Sequence, residues 1–171
     1  MSTTLDYRPY LDFAAELASE CGALAVETFG QHTARRKSDG TLVTKTDEAI
    51  DRLISTRIGD AYPSHAILSE EQLTVYDPAD EFTWVVDPLD GTTNFANGIP
   101  IWGVSIALLH YGQPVVGVLD FPLLCEQYQA LLGGGATRGI ERLATSAATA
   151  ADDEQFLMKC TRTDRLFQLA T

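Results

Sequence analysis

From Pro9 to about Thr28 apolar residues recur every three or four positions: Tyr10, Phe13, Leu17, Cys21 and Leu24. Ala14, Ala18 and Ala25 fill the same stripe. This period predicts an amphipathic helix, with Pro9 suited to a first position and Gly30 to a stop. A polar loop follows, QHTARRKSDGTLVTKTD, with a turn signal at Asp39-Gly40. A second helix is predicted from Thr46 to Ala61. Thr46 would cap it, Asp47 and Glu48 would lie in its first turn, and Ile50, Leu53, Ile54 and Ile58 would form its buried face.

Beyond the second helix the pattern changes. HAILSEE reads as a short strand running into acidic residues, and FTWVVD as another. IWGVSIALLHY, PVVGVLDF and CEQYQALL read as β-rich segments divided by Gly-Gln-Pro and Pro-Leu turns. GGGATRG is expected to be a hairpin loop; it lacks the Gly-Lys-Ser/Thr ending of a phosphate-binding P-loop. Residues 145–153 form a low-complexity connector. QFLMKC then reads as a strand and RTDRLFQLAT as the opening of a helix. Helices first, then a largely antiparallel sheet, then a new strand and helix predict a layered α/β protein.

A chain of 171 residues suits one domain, able to bury roughly 70% of the surface its unfolded form exposes. Its formal charge of −12 disfavours non-specific nucleic-acid binding and anionic membrane surfaces, both of which call for a basic face. An anionic ligand would therefore need metal ions to hold it. The three cysteines, Cys21, Cys125 and Cys160, have neither disulfide-framework nor zinc-ligand spacing. MSTTLDYRPY lacks a basic segment followed by an apolar core, and no apolar run approaches the roughly 20 residues of a membrane span. The expected location is the cytoplasm.

The chemistry concentrates in WVVDPLDGTTNF, residues 84–95. Glu70 and Asp87 each close a short apolar strand, and neighbouring strands would bring these ends together. Asp90 follows Asp87 by three residues, so a tight turn could aim both carboxylates into one space. Pro88 fixes its own φ and favours an extended Asp87, while Gly91 permits close backbone approach. Crowded carboxylates repel unless a cation lies between them, and oxygen-only ligation suits Mg²⁺. Amides at GTTN could hold phosphate in the manner of a helix N-terminus. Taken alone, DPLDG is also an ordinary turn, Asp47-Glu48 an ordinary helix start, and Thr92 and Thr93 ordinary caps. His32, His65 and His110 lack mutual metal-site spacing and read as surface or core residues.

DPLDGTTNF at 87–95, GIPIWGVSIAL at 98–108, LSEE at 68–71 and LVTKTD at 42–47 together resemble the inositol monophosphatase family of Mg²⁺-dependent phosphatases. The resemblance implies the N-terminal portion of an αβαβα sandwich, assembled as a homodimer. Glu70 and Asp87 would ligate a first Mg²⁺ with the Leu89 carbonyl, and Asp87 and Asp90 would reach a second. Thr92 paired with Asp47 would orient or activate the attacking water, while the Gly91 and Thr92 amides contact phosphate. Lys37 corresponds to a mobile-loop residue near the site. The implied reaction is in-line hydrolysis of a phosphate monoester.

Inositol monophosphate is the favoured substrate; histidinol phosphate, fructose bisphosphate and nucleotide bisphosphates are the superfamily's alternatives. The family also carries a later Trp-Asp motif whose aspartate completes the second metal site. Neither Trp84 nor Trp102 is followed by aspartate, so the expectation is a chain holding the N-terminal half of such a site. A catalytically incompetent homologue, acting only by binding or association, is the competing expectation.

Overall fold

The computed structural model describes residues 5–31, 34–36, 42–72 and 75–145. Several expectations lie outside these residues: Lys37, His32, Cys160, the Asp39-Gly40 turn, the connector beyond Thr145, and the strand and helix expected after it.

Helix α1 spans Arg8–Thr28. Asp6 Oδ1 accepts from the Arg8 amide at 2.9 Å, and the chain leaves the helix through Gly30 at φ 81°. The buried stripe is Leu11, Ala14, Leu17, Ala18, Cys21, Gly22 and Ala25. Its small residues let α1 lie close to the sheet. A Cβ on Gly22 would stand 2.6 Å from both Asp120 Oδ2 and Pro122 Cγ, so that contact admits only glycine. Burial drives the Cys21 thiol up to about 12, which rules it out as a nucleophile near neutrality.

A two-residue antiparallel pair, β1 (Arg35–Arg36) and β2 (Leu42–Val43), leads into helix α2, Lys45–Ala61. Ile50, Ile54 and Ile58 are fully buried on α2, with Leu53 half-buried beside them. The cap differs from expectation: Thr44, not Thr46, precedes the helix. Thr44 Oγ1 accepts from the amides of Thr46 and Asp47, and Asp47 Oδ2 accepts from the Thr44 amide at 2.9 Å. This reciprocal box places the cap two residues earlier, because Asp47 at the third helical position can reach back only to Thr44. Thr46 is inside the helix and shares a 2.8 Å hydrogen bond with Thr28 Oγ1 of α1.

Seven strands form one sheet in sequence order: β3 (Ala66–Ser69), β4 (Phe82–Asp90), β5 (Gly103–His110), β6 (Gln113–Phe121), β7 (Glu126–Leu131), β8 (Gly135–Arg138) and β9 (Glu141–Leu143). β3 runs parallel to β4 and every later pairing is antiparallel. GGGATRG is only partly loop, since Gly135–Arg138 pairs as β8 after a turn at 132–134. Trp84, Val86, Val104, Ile106, Leu108, Val116 and Val118 form the buried face against α1 and α2. Trp84 Nε1 donates to His65 Nδ1 at 3.1 Å, which puts the neutral ring's proton on Nε2. Burial holds His65 below its usual range; it belongs to an aromatic cluster with Tyr10, Tyr62 and Phe82.

Gly103 holds the acidic end of β4 in this sheet, since it is the β5 partner of Asp90. A Cβ there would stand 2.6 Å from the Asp120 carbonyl oxygen and about 3 Å from the Phe121 ring. Backbone cannot yield cheaply, so Gly103→Ala is expected to cost about 1–3 kcal/mol, the usual penalty of overpacking. Urea denaturation of the variant against the parent chain measures it; an unchanged midpoint would show that β6 moves aside freely.

Candidate active site

The parallel register pairs Ser69 with Val86, so the next residues on each strand, Glu70 and Asp87, come off side by side. The Glu70 amide donates to the Val86 carbonyl at 3.2 Å and carries the ladder one step past β3. The two carboxyl groups face one another closely enough to interact, and both line a groove of about 420 Å³ with Leu68, Ser69, Val85, Val86, Ser105 and Ala107. A larger groove of about 730 Å³ is apolar, lies over β6–β9, and holds none of the candidate acids.

The expected tight turn after Asp87 is instead a continuation of β4 to Asp90. Asp87 pairs with Ser105 and Asp90 with Gly103, three steps on β4 against two on β5. That extra residue is a β-bulge, and Pro88 sits within it, where its missing N–H breaks no ladder bond. Pro88 and Leu89 are both buried, while the Leu89 amide donates to Asp87 Oδ1 at 3.1 Å. Gly91 then turns the chain at φ 92°, with the Ile101 carbonyl oxygen 3.1 Å from where a Cβ would be. Both the dihedral and the close approach require glycine.

A short helix, α3 (Thr92–Ala96), begins directly after Gly91. Thr92 Oγ1 lies 2.9 Å from Asp47 Oδ1 and 3.0 Å from the Leu89 carbonyl oxygen. Asp47 is nearly inaccessible, at 1% exposure, and its other oxygen accepts from the Thr44 amide and hydroxyl. Asp87, Leu89, Thr92 and Asp47 are thus joined by one run of contacts. Because the Thr92 proton is committed to these acceptors, its oxygen lone pairs are what it can offer a water.

Burial, reinforced by Glu70 and then Asp90, raises the Asp87 carboxyl to about 8; the Leu89 amide opposes this. Burial and then Glu70 raise Asp90. The donors fit a hard divalent cation chemically: three carboxyl groups whose mutual repulsion a positive charge would relieve, beside the Leu89 carbonyl. Among the described residues no group of three or more His, Cys, Asp or Glu side chains already stands at metal-holding distances. Glu70, Asp87 and Asp90 are therefore near one another but not drawn in as ligands. The sequence reading missed Thr44, whose legible signal was the Thr-x-x-Asp spacing before an apolar run. It also missed Asp51, Ser69 and Gln72, which hold the turn carrying Glu70 and have no comparable motif.

Solved structures fix the class of protein first. The extragenic suppressor protein suhB from Bartonella henselae matches with a TM-score of 0.76 at 31% identity, over 82% of this chain and 55% of that one. An IMPase from Thermotoga maritima matches with a TM-score of 0.76 at 30% identity, over 81% and 54%. The fold is therefore the layered α/β architecture of the inositol monophosphatases. The sequence model described as the inositol monophosphatase family matches residues 6–167, and the chain belongs to that family.

Relatives include a histidinol-phosphatase from Chlorobaculum parvum, 38% identical over 75% of this chain and 50% of its own length. Inositol monophosphatase 2 of Solanum lycopersicum is 39% identical over 74% and 50%, and an inositol-1-monophosphatase of Synechocystis is 35% identical over 94% and 56%. The chain spans about half the length of the curated relatives it matches.

The acid cluster makes a testable demand on stability. An unfolded Asp87 loses its proton near the ordinary value of 3.8, whereas the folded one keeps it to about 8. Between these values the folded state binds more protons, so stability falls as pH rises through that window. Thermal unfolding in chelator should show a smaller decline from pH 5 to pH 8 for Asp87→Asn than for the parent chain. Millimolar Mg²⁺ should recover stability at pH 8 in the parent only. Identical pH slopes for the two proteins would refute the assignment.

Proposed function

We propose that the chain carries the phosphate-binding and water-activating part of a Mg²⁺-dependent phosphomonoesterase, with inositol monophosphate the favoured substrate. The observation that carries this reading is the contact run from Asp87 through Leu89 and Thr92 to buried Asp47, standing beside Glu70 in the shared groove. Glu70, Asp87, Asp90 and the Leu89 carbonyl are the residues that would hold Mg²⁺. Such ions, when bound, lower the pKa of a coordinated water and stabilise charge on the phosphoryl oxygens.

In this reading Thr92 orients the attacking water. The water donates to Thr92 Oγ1, whose own proton is directed to Asp47 Oδ1. Asp47 keeps that polarity because its second oxygen is held by Thr44, and Thr92 cannot reverse without losing its acceptors. The water oxygen forms the new bond to phosphorus as the ester P–O bond breaks; the water sheds one proton to solvent and the departing alkoxide takes one from solvent, leaving alcohol and inorganic phosphate. The Gly91 and Thr92 amides are the proposed phosphate contacts. A cytoplasmic, homodimeric protein suits this reading; among the described residues no helix is long and apolar enough to cross a membrane.

The histidinol-phosphatase among the relatives supports an alternative alcohol within the same reaction class. In a second reading the chain binds metal and associates without turning over substrate. Assay of the purified chain with inositol monophosphate and histidinol phosphate, each with and without Mg²⁺, separates these. Turnover should require Mg²⁺ and fall at least about a hundredfold in Asp87→Asn, the loss typical of removing a group that supports developing charge. Mg²⁺ binding without turnover of either ester would favour the associative reading, and activity indifferent to Asp87 would sink the metal assignment.

A further inference from the structure

Asp51 is buried on α2, one helical turn after Asp47, at 7% exposure. Its Oδ1 accepts from the Ser69 hydroxyl, and its Oδ2 accepts from Gln72 Nε2 at 2.8 Å. Ser69 Oγ in turn accepts from the Glu71 amide at 3.2 Å, and the Gln72 amide donates to the Ser69 carbonyl at 3.3 Å. Gln72 Nε2 also reaches Ser55 Oγ, a second α2 residue, at 2.8 Å. One carboxylate thus grips both ends of the four-residue turn, Ser69 to Gln72, whose second member is Glu70.

We propose that Asp51 is a positioning residue for Glu70, and that α2 sets the site through two carboxylates spaced four apart. Residues at i and i+4 share a helix face. Asp47 takes hold of Thr92 beyond the end of β4, and Asp51 takes hold of the turn beyond the end of β3. The two turns that carry the candidate ligands are therefore indexed against one rigid element instead of only against each other. Without Asp51, the turn would keep the Glu70 amide bond to Val86 and the single Gln72–Ser55 contact with α2, but lose the carboxylate that holds both of its ends. Its carboxyl, at the edge of the sheet, would then swing relative to Asp87. Charge-assisted bonds to the two turn ends are stronger and more directional than neutral ones, which suits a positioning task. Outer partners of this kind commonly change metal affinity by about 10–100-fold.

This inference rests on the metal-site reading above, and its test keeps the two apart. Mn²⁺ binding to the 171-residue chain, read by electron paramagnetic resonance, gives a dissociation constant without any need for turnover. Asp51→Ala should weaken Mn²⁺ about tenfold or more and speed amide exchange at Glu70 and Glu71. Protection in α1 and at β5–β6 should stay as in the parent. Ser69→Ala and Gln72→Leu each remove one end of the grip while leaving Asp51 in place; each should show a smaller loss, which secures the test should Asp51→Ala fail to fold. Asp51→Asn, which can still accept from one end, should fall between. Glu70→Gln reports the affinity carried by the ligand itself. If Glu70→Gln weakens Mn²⁺ while the Asp51, Ser69 and Gln72 variants bind as the parent does, the positioning role is overturned and the metal reading stands. If parent binding is indifferent to both Glu70→Gln and Asp87→Asn, the metal reading is overturned and the positioning proposal falls with it.

Discussion

Parallel pairing of β3 with β4 is the constraint on which the site depends. An antiparallel partner would place its C-terminal end at the opposite edge from Asp87. In the parallel register both strands finish at the same edge, and Ser69 opposite Val86 sends Glu70 and Asp87 off side by side. Every other strand in the sheet is antiparallel to its neighbours, so this edge is where two strand ends coincide with a shared direction. Parallel pairs need a crossover connection, and ligands commonly gather outside the carboxyl ends of such strands. The acids here occupy that position because topology brings two chain ends there, and alternation on β4 turns Val86 inward and Asp87 into the groove.

Holding three acids at one edge works against folding, and the surrounding elements oppose that cost in different ways. Beneath the acids, Val86, Pro88 and Leu89 are buried, so the bulge that carries the chain on to Asp90 also sinks two apolar residues. Fully burying an aliphatic side chain is worth about 1.5–3 kcal/mol, enough to offset a bulge that forfeits one pairing step. Beside them, Asp47 and Asp51 are buried carboxylates that accept several hydrogen bonds each, which lets them remain inside without a cation. Among the described residues, Glu70, Asp87 and Asp90 meet fewer donors, the Leu89 amide on Asp87 being the clear case. That difference in satisfaction, more than the number of acids, separates scaffold carboxylates from candidate ligands.

Much of this was legible in the chain. Both long helices follow from their apolar spacing, because a three-to-four period sustained over several turns fits neither a strand nor a loop. The strands were readable from β-branched runs between glycine and proline turns, and the family followed from DPLDGTTNF with its flanking blocks. Errors cluster where tertiary pairing overrides local signal. Proline and two acids suggested a turn after Asp87, yet β5 keeps β4 extended to Asp90 by absorbing Pro88 in a bulge. Triple glycine suggested a hairpin loop over GGGATRG, through Gly139, yet β7 recruits Gly135–Arg138 as a strand. Thr46 stands directly before Asp47 and so resembles a cap, whereas the reciprocal box fixes Thr44. Asp51 left no trace, since its partners Ser69 and Gln72 lie 18 and 21 residues away, and only folding brings them together.

Residues 44–103 supply the groups of the candidate site, but the groove that receives Glu70 and Asp87 opens on the sheet face away from α1 and α2. Leu68, Val85 and Ala107 line it, and Ala107 also borders the larger apolar groove. The dielectric around the acid pair is consequently set from two sides, by the packed core beneath and by whatever medium fills the groove above. Protein lying against that face would withdraw water from Asp87 and drive its carboxyl higher in the absence of a cation. The same cover would strengthen the attraction of the ionised pair for a divalent ion, since charge interactions grow as the local dielectric falls. Coverage of the sheet and cation affinity are therefore two expressions of one electrostatic quantity. In a chain of net charge −12, a cation held at this edge would offset the negative potential that any approaching anion meets.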